Sequence, residues 1–474
     1  MRSLAPALAL TLTLGACTSH WAYLDKKPME AEGGDGNAST GGNAASGGRP
    51  VAGGNESTGA DGSSGGSPEV STGGTGGDAN VDSGGASGGV GEGGVGAIAG
   101  AGGVADAGAG GGVSEPPFVT YDADDPKLQY SGRIDFSAPK SPRFSAGVVQ
   151  VRARFTGTAL KVLLSDEFRY GTNRDYFDVV IDDSRTKLAP EPGRTEYEVA
   201  SELAAGEHSV TLVKRTEASI GKSRFLGLAA RGELLAPPPR PERRLEFIGD
   251  SITAGTGNEA VNGSKDCEAD GWGQPYQSGD FAFGPVLARA LDAEYQVTAV
   301  SGIGLLRNYS SLYDARPMPA VYELLYSEDT ASPPWDRTRF VPDAIVVALG
   351  TNDFSPGDNP PDDPRPDLSV DTFTSAYVAF VDTLRGYYPD AHIFCVSSPM
   401  LGDGWPTSSD TFLSDQKNAL TQVEAHYGEL GETRVHKFFV TKQSGRGCGT
   451  HPDLAQHAQL AREIGDYVKS VLGW

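Results

Sequence analysis

The sequence predicts an α/β domain with a parallel sheet covered by helices on both faces, preceded by a small all-β domain and a disordered Gly-rich tether. Three observations predict this class. Half of the 64 glycines lie in residues 33–112, apolar side chains recur with a period of two in residues 118–235, and apolar strands alternate with amphipathic helices after residue 243. We therefore divide the 474 residues into a leader at 1–17, a tether at 18–115, a sandwich at 116–236 and an α/β domain at 242–474.

The first residues have the pattern of an export leader. Arg2 supplies a positive charge, residues 4–14 form an apolar run that is too short to cross a bilayer as a mature helix, and the string L-G-A-C follows at residues 14–17. This string resembles a bacterial lipobox, which is cleaved before its Cys, so we expect Cys17 to become a lipidated N-terminus. The chain would then be exported and held at the bacterial cell envelope, at the outer membrane or cell surface, with no other membrane contact. An ordinary secretory signal followed by a chance Cys is the alternative.

The tether is predicted from composition. Residues 33–112 are mostly Gly, Ser, Ala, Thr and Asn, with a few Val, scattered acids and a single base, Arg49. A segment with so few large apolar side chains cannot bury enough surface to offset the entropy of ordering it. We expect a flexible coil with an average end-to-end distance of roughly 50 Å. The alternative, a folded Gly-rich solenoid, would need a strict repeat, which the segment lacks.

Charge and cysteine content narrow the class of protein. A net charge of −23 argues against binding to nucleic acid and fits a solvated, exported protein with a neutral substrate. We expect the protein to be a monomer. Besides Cys17 there are Cys267, Cys395 and Cys448. Because Cys395 lies in a predicted buried strand, Cys267 and Cys448 are the favoured disulfide pair in an oxidising compartment. No Cys/His cluster has zinc spacing, and we expect neither a metal nor another cofactor.

The all-β domain is predicted from alternation of apolar and polar side chains. The apolar members of one such run are Val149, Val151, Ala153 and Phe155. Gly, Pro, Asp and Asn punctuate the pattern, and no helical pattern of comparable length interrupts it. These features predict a small antiparallel sandwich of the jelly-roll kind. The Pro-rich string at residues 236–241 then indicates a stiff linker.

The α/β domain is predicted from five apolar strands and four amphipathic helices. The strands are expected at residues 245–248, 295–300, 344–349, 393–397 and 435–440, and the helices at residues 281–292, 372–388, 415–427 and 453–472. Such alternation indicates a parallel sheet covered on both faces. In folds of this kind the functional site lies beyond the carboxyl ends of the strands.

The first two strands lead to a Ser and a Gly at that edge. Ser251 follows the first strand, in the string G-D-S-I at residues 249–252, where a strand-to-helix turn can project its Oγ above the sheet. Gly302 follows the second strand, where a glycine lets a backbone N–H approach an oxyanion. Taken singly, Ser251 could be a helix cap and Gly302 a plain turn.

An Asn and a His complete the set. Asn352 follows the third strand and carries a neutral amide that can be fixed toward an oxyanion, although Asn-Asp at a strand end is also a common turn. His451 follows the last strand and precedes Pro452, which suits the first turn of the final helix. An imidazole at this position can reach Ser251 as a general base.

These four residues occur in the order of the four blocks of the SGNH hydrolase superfamily, and residues 245–474 resemble that superfamily. The layout is similar to that of carbohydrate esterase family two, which places a jelly-roll module before a three-layer SGNH module. Further similarities to that family are S-G-I-G-L-L-R-N-Y at residues 301–309, a Gly-Cys pair shortly before the His, and Y-S-G-R at residues 130–133.

The resemblance implies a serine esterase that removes O-acetyl groups from plant-type polysaccharides or oligosaccharides through an acetyl-enzyme. It implies Ser251 as the nucleophile and His451 as the general base. It also implies an oxyanion hole made by the backbone N–H groups of Ser251 and Gly302 and the side-chain amide of Asn352.

Two departures from the superfamily pattern are visible. An Asp usually stands two or three residues before the His, where this chain has Gly449 and Cys448, so the resemblance implies a Ser–His dyad of the kind that family two includes. Thr450 stands where some relatives carry an aromatic residue that stacks on sugar. Two alternatives remain: a lipase or thioesterase for longer acyl chains, and a catalytically weak glycan-binding protein.

Overall fold

The N-terminal domain is built from two antiparallel sheets. The computed structural model describes residues 115–261, 263, 267, 274–310, 316–359, 365–404 and 406–474. The strands of this domain are β1 Val119–Asp122, β2 Gln129–Ser131, β3 Arg143–Phe144, β4 Gln150–Thr156, β5 Leu160–Asp166, β6 Phe177–Ile181, β7 Ser184–Leu188, β8 Glu196–Ala200, β9 Glu207–Lys214 and β10 Ser223–Ala230. One sheet has the order β1-β10-β5-β8 with β3 on β10, and the other has the order β2-β4-β9-β6-β7.

The two sheets pack face to face through the apolar side chains that alternate along each strand. In β4, for example, Val151, Ala153 and Phe155 are buried, whereas Arg152 and Arg154 point away from the core. Buried apolar side chains also alternate in β5, which lies in the opposite sheet, and in β9, which pairs with β4 in the same sheet, and both strands contribute to this core. Burial of one face of each strand therefore fixes the register of the sandwich.

The C-terminal domain contains a five-stranded parallel sheet. Its strands are β11 Arg243–Gly249, β12 Ala293–Ala299, β13 Ala344–Ala348, β14 His392–Val396 and β15 Val435–Phe438, in the order β12-β11-β13-β14-β15. The helices are α1 Ser251–Ala254, α2 Phe283–Ala290, α3 Met318–Tyr322, α4 Thr351–Phe354, α5 Val370–Tyr387, α6 Phe412–Glu429 and α7 Leu454–Leu472. All neighbouring strands in this sheet pair in parallel.

Helices cover both faces of the parallel sheet. On one face, Ile345 and Val347 of β13 belong to the core that contains buried side chains of α5 and α6. On the other face, Phe247 and Val346 belong to the core that contains α2 and α7. The near-continuous apolar character of β13 and β14 follows, because their alternate residues are buried in the two cores on opposite faces of the sheet. The predicted three-layer α/β class with a preceding jelly-roll domain is confirmed.

The sandwich and the α/β domain share buried surface. Val148 and Val213 of the sandwich lie in the core formed by β11, α2 and α7. Arg133 is buried and donates through Nη1 to the carbonyl oxygens of Tyr322 and Leu324, at 2.8 Å each. Its guanidinium also lies 3.5 Å from the buried carboxylate of Glu246 on β11.

The structure corrects one prediction about the last helix, and other predictions fall on residues that it does not describe. Helix α7 begins at Leu454 with Asp453 as its N-cap, so Pro452 precedes the cap and does not occupy the first turn as predicted. The expected leader, the lipidation site Cys17 and the tether up to residue 114 lie outside the described residues. In the described part of the chain, no helix is both long enough and apolar enough to span a membrane.

Candidate active site

Ser251 stands at the turn between β11 and α1. Asp250 is the N-cap of α1, and its Oδ1 accepts from the backbone N–H of Ile252 at 2.9 Å. A side chain at Gly249 would collide with Thr253, so the turn requires glycine there. Ser251 is the first residue of the helix, where a backbone N–H has no acceptor within the helix. Burial raises the pKa of the Asp250 carboxyl to about 7.

His451 lies between a short 3₁₀ turn, Cys448–Thr450, and the N-cap of α7. Its Nε2 is 2.7 Å from Ser251 Oγ, and its Nδ1 is 2.7 Å from the carbonyl oxygen of Cys448. Because a carbonyl oxygen only accepts, the proton of the neutral ring resides on Nδ1. Nε2 is then free to accept the hydroxyl proton of Ser251, which is the arrangement that a general base requires.

Cys448 is held firmly enough to orient the ring. A disulfide joins it to Cys267, with the two Cα atoms 5.8 Å apart. Its backbone N–H donates to the carbonyl oxygen of Gly257 at 3.1 Å. Gly257 has φ +61°, and a side chain there would collide with Cys448. The carbonyl oxygen that accepts the hydrogen bond from His451 Nδ1 is therefore fixed by a covalent link and by close backbone packing.

The environment of His451 determines its pKa. Burial lowers the pKa of the imidazole, and the backbone contacts with Cys448 and Gly449 raise it by a smaller amount. Asp353 and Asp403, each in a loop after a strand, are the sequence's candidates for an acid beside His451. Their carboxylates make their hydrogen bonds elsewhere, to the loop after Gly302 and to the first turn of α6. The ring is therefore oriented by the main chain.

Thr450 adopts a backbone conformation that is unusual for a β-branched residue. Its φ is +62°, and the preceding Gly449 has φ +56°. Two successive left-handed residues turn the chain sharply and bring His451 back over the Cys448 carbonyl. A β-branched side chain in this region is strained, and strain of this kind is concentrated at functional sites. The Thr450 side chain is exposed, so it is available to a ligand beside the ring.

Gly302 and Asn352 stand at the ends of β12 and β13, on either side of β11. Gly302 has φ +77°, a conformation that favours glycine. One N–H of the Asn352 amide donates to the carbonyl oxygen of Ile303 at 2.7 Å. That bond fixes the amide, and the second N–H remains for an oxyanion. The parallel sheet thus brings the residues predicted from separate strands to one edge.

The loop after Gly302 is organised by Asp353, whose role the sequence did not indicate. The carboxylate of Asp353 accepts from the backbone N–H groups of Leu305 at 2.8 Å, Leu306 at 2.7 Å and Arg307 at 3.1 Å. The loop also exposes part of the Tyr309 ring, whose backbone N–H donates to the carbonyl oxygen of Gly302 at 2.7 Å. The position of Asp353 in a loop after a strand made it a candidate for the acid beside His451, whereas its carboxylate instead binds the backbone of residues 305–307.

The site contains what acyl transfer requires. A hydroxyl and a base are in hydrogen-bond contact, and donors for a developing oxyanion lie at the neighbouring strand ends. Among the described residues, no group of three or more His, Cys, Asp and Glu side chains is arranged to hold a metal ion. The sequence did not indicate which group would accept the hydrogen bond from His451 Nδ1. The acceptor is the Cys448 carbonyl, and every residue carries a backbone carbonyl.

Two family descriptions match the two domains. Residues 130–239 match the carbohydrate esterase 2 N-terminal family, and residues 247–459 match the GDSL-like lipase/acylhydrolase family. The first match covers the sandwich from β2 to the linker. The second begins in β11 and ends within α7, so it contains Ser251 and His451.

Known proteins match both domains together. An acetylxylan esterase/glucomannan deacetylase of Cellvibrio japonicus is 33% identical over 352 residues, which are 72% of this chain and 91% of that protein. A cellulase/esterase of Acetivibrio thermocellus is 32% identical over 361 residues, and the chain spans only 41% of its length. The solved structure of a family two carbohydrate esterase from Clostridium thermocellum, in complex with cellohexaose, matches with a TM-score of 0.63 and 31% identity, covering 73% of this chain and 99% of that one.

Proposed function

This chain belongs to carbohydrate esterase family two, and on that premise we propose that it is a serine esterase that removes acetyl groups from acetylated plant-type polysaccharides or oligosaccharides. The observation that supports the proposal is the 2.7 Å contact between Ser251 Oγ and His451 Nε2, at the strand edge where Gly302 and Asn352 also stand. The acetylxylan and glucomannan activities named for its relatives suggest the class of polymer. The net charge of −23 is compatible with a neutral glycan.

In the proposed reaction, Ser251 attacks the acetyl carbonyl while His451 Nε2 takes its proton. The oxyanion is held by the N–H groups of Ser251 and Gly302 and by the Asn352 amide. The imidazolium then protonates the departing sugar hydroxyl, and an acetyl ester remains on Ser251. Water, activated by the same ring, releases acetate and restores the hydroxyl. Throughout, the Cys448 carbonyl oxygen accepts a hydrogen bond from His451 Nδ1 and keeps the ring in place.

Acetate release tests this proposal. The protein should release acetate from acetylated xylan or acetylated glucomannan, and Ser251→Ala should not. With 4-nitrophenyl acetate, butyrate and octanoate, kcat/KM should fall as the acyl chain lengthens, because the sequence that follows Ser251, at residues 258–270, is mostly polar. A rise with chain length would favour the lipase or thioesterase alternative. Glycan binding without hydrolysis by the wild-type protein would favour the binding alternative.

We also propose that the chain is exported and anchored to the cell envelope through a lipid on Cys17. The proposal rests on the string at residues 14–17 after an apolar run, and a disulfide between Cys267 and Cys448 suits an oxidising compartment. Membrane fractions of cells that express the wild-type chain should contain the protein, and Cys17→Ala should release it. Equal partition of both proteins would overturn the anchor.

We further propose that the chain acts as a monomer. All the groups of the candidate site come from one chain, so catalysis needs no second copy. Sedimentation of the mature protein at concentrations used for assays tests this. A stable dimer whose dissociation abolishes activity would contradict it.

A further inference from the structure

The sandwich domain contributes a side chain to the edge of the candidate site. Glu217 lies in the segment between β9 and β10, and its Oε2 accepts from the backbone N–H of Ser301 at 2.5 Å. Ser301 directly precedes Gly302, whose N–H we place in the oxyanion hole. The Glu217 side chain is buried at this contact, so water does not compete for the same N–H.

A buried ammonium group fixes the segment that carries Glu217. Lys214 is fully buried, and its Nζ lies 2.7 Å from Asp175 Oδ1. The same Nζ donates to the carbonyl oxygens of Thr216 at 2.9 Å and Glu217 at 3.1 Å. An ion pair that is buried and satisfied in this way specifies one arrangement of the backbone. Glu217 therefore approaches the α/β domain on a rigid base.

The contact is part of a continuous connection to the nucleophile helix. The backbone N–H of Glu217 donates to Gln277 Oε1 at 3.4 Å, and Gln277 Nε2 donates to the carbonyl oxygen of Ala254, the last residue of α1, at 3.2 Å. The backbone N–H of Gly279 donates to the carbonyl oxygen of Arg215 at 2.9 Å. This sandwich segment thus contacts the turn that carries Gly302 directly and reaches the end of α1 through Gln277.

Ser301 is held from two sides. Its N–H is bound by Glu217, and its Oγ is 2.7 Å from Thr256 Oγ1. Gly302, with φ +77°, has no side chain to limit its rotation. The orientation of the Gly302 N–H therefore depends on how firmly the preceding residue is fixed. Oxyanion donors act through preorganisation, so a rotation of this peptide reduces the rate of the chemical step.

We propose that Glu217 of the sandwich domain is a positioning residue that fixes Ser301 and thereby aims the Gly302 N–H at the oxyanion. The proposal rests on the proposed esterase function and makes the sandwich an integral part of the active site. The proposed role requires only an acceptor oxygen for the Ser301 N–H, which a neutral amide side chain also supplies.

The environment of Glu217 is consistent with that requirement. Burial raises the pKa of its carboxyl, while Ser301 and, to a smaller extent, Lys214 lower it. A carboxyl with a raised pKa carries less negative charge at a given pH, yet it still presents an oxygen to the Ser301 N–H.

A pair of neutral substitutions of similar volume isolates the acceptor. Glu217→Gln keeps an oxygen that can accept from Ser301, and Glu217→Met fills the same space without one. Glu328 provides a matched control, because its buried carboxylate also joins the two domains, accepting from Ser145 Oγ at 2.9 Å, without contacting the Ser301 turn. Glu328→Met removes a comparable cross-domain carboxylate.

The measurements are kcat and KM for 4-nitrophenyl acetate and hydrogen–deuterium exchange of peptides that span residues 300–309. We expect Glu217→Met to lower kcat by about 10- to 100-fold, somewhat less than the loss of an oxyanion donor itself, with KM changed by no more than about threefold. Exchange in residues 300–309 should accelerate in the same variant. Glu217→Gln and Glu328→Met should retain the wild-type kcat and exchange.

The outcomes separate this proposal from the proposed function. Equal losses of kcat in Glu217→Gln and Glu217→Met, or unchanged kcat and exchange in Glu217→Met, would overturn the positioning role. An equal loss in Glu328→Met would also overturn it, since general loosening of the interface would then explain the effect. If the wild-type protein hydrolyses no acetyl ester, the proposed function fails, whereas the exchange comparison still decides whether Glu217 fixes the Ser301 turn.

Discussion

His451 Nδ1 donates its hydrogen bond to an uncharged group, the Cys448 carbonyl, and the absence of a negative charge there affects the pKa of the ring. A carboxylate in that position would stabilise the imidazolium and raise its pKa. The Cys448 carbonyl orients the ring and fixes its tautomer but supplies only a dipole. Burial meanwhile disfavours the charged ring. In the proposed dyad, His451 should therefore stay neutral, and hence act as a base, at lower pH than a His next to an Asp.

The pH dependence of kcat/KM tests the environment of His451. The neutral imidazole is the active form, and the pKa of the ring is lowered by burial. Activity should therefore rise with an apparent pKa below about 6.5, the value of an unperturbed His, and should persist into mildly acidic solution. A rise centred clearly above that value would show that a negative charge stabilises the imidazolium.

Substitution at Gly449 tests the same point by adding the missing acid. A Cβ at this position would lie 3.5 Å from His451 Nδ1, and Asp and Asn tolerate the left-handed backbone better than most residues. We expect Gly449→Asp to shift the rise of the pH profile upward. Gly449→Asn has the same shape without the charge and should leave the profile in place. Identical profiles for the two variants would mean that the carboxylate does not reach the ring.

The loops at the strand ends differ in what supports them. The turn with Ser251 is fixed by its own helix cap, whereas the loop after Gly302 depends on a carboxylate from the next strand exit, Asp353. That carboxylate is fully buried and receives three backbone N–H groups. Its removal leaves three donors without their acceptor in a buried loop, which is a large perturbation.

Asp353 and Asp403 therefore form an informative pair. Asp353→Ala should lower kcat by about 100-fold, on the scale of a lost oxyanion donor, without moving the pH profile. Asp403→Ala should lose only an N-terminal contact of α6 and leave kcat unchanged. A loss of about 10,000-fold in either variant, the scale of a neutralised triad Asp, would contradict a dyad.

The Cys267–Cys448 disulfide should matter for catalysis as well as for stability. Cys448 supplies the carbonyl that orients His451, so Cys267→Ser should loosen that carbonyl and lower kcat by roughly 10- to 100-fold, as small misplacements of catalytic groups do. The free energy of unfolding should fall by about 2–5 kcal/mol.

Reduction of the disulfide with dithiothreitol should lower kcat and stability in the same way in the wild-type protein, and it should have no effect on Cys267→Ser. The buried thiol of Cys395, whose pKa burial raises to about 12, should not interfere. Unchanged kcat after reduction would show that packing against Gly257 suffices.

The sequence predicted those candidate site residues that directly follow a strand of the parallel sheet. Ser251, Gly302 and Asn352 each follow an apolar strand, and parallel strands end at one edge, so their convergence follows from the pattern. The Cys448 carbonyl could not be predicted in this way, because a backbone carbonyl has no sequence signature. Glu217 could not be predicted either, since its partner is a backbone N–H in another domain.

The two domains are more closely joined than their patterns suggest. Arg133 would be assigned to the surface from its charge, yet it is 3% exposed and lies between the sandwich and β11. The Pro-rich linker was predicted to be a stiff spacer, and its Pro238 carbonyl accepts from Gln129 Nε2 at 2.8 Å. Alternation along a strand reports only the core of its own sheet. The pattern therefore could not predict which residues, such as Arg133, are buried between the two domains.

Arg133 should couple the unfolding of the two domains. Arg133→Met leaves the fully buried Glu246 without its cation, and we expect a loss of about 3–5 kcal/mol in unfolding free energy. Arg154→Met is the matched control, because the Arg154–Glu207 pair of the same sandwich is largely exposed and such pairs contribute little. Chemical denaturation monitored by circular dichroism provides both values. Similar losses of unfolding free energy in Arg133→Met and Arg154→Met would show that the buried contact between Arg133 and Glu246 does not couple the two domains.

The catalytic unit itself is tested by hydrolysis of 4-nitrophenyl acetate with the wild-type protein, Ser251→Ala, His451→Ala and the double variant. Thermal unfolding of each confirms that the fold is intact. We predict that each single variant loses at least about 1,000-fold in kcat and that the double variant loses little more, because a nucleophile and its base act as a unit. A folded single variant that keeps more than about a tenth of the wild-type kcat would contradict the assignment of Ser251 and His451.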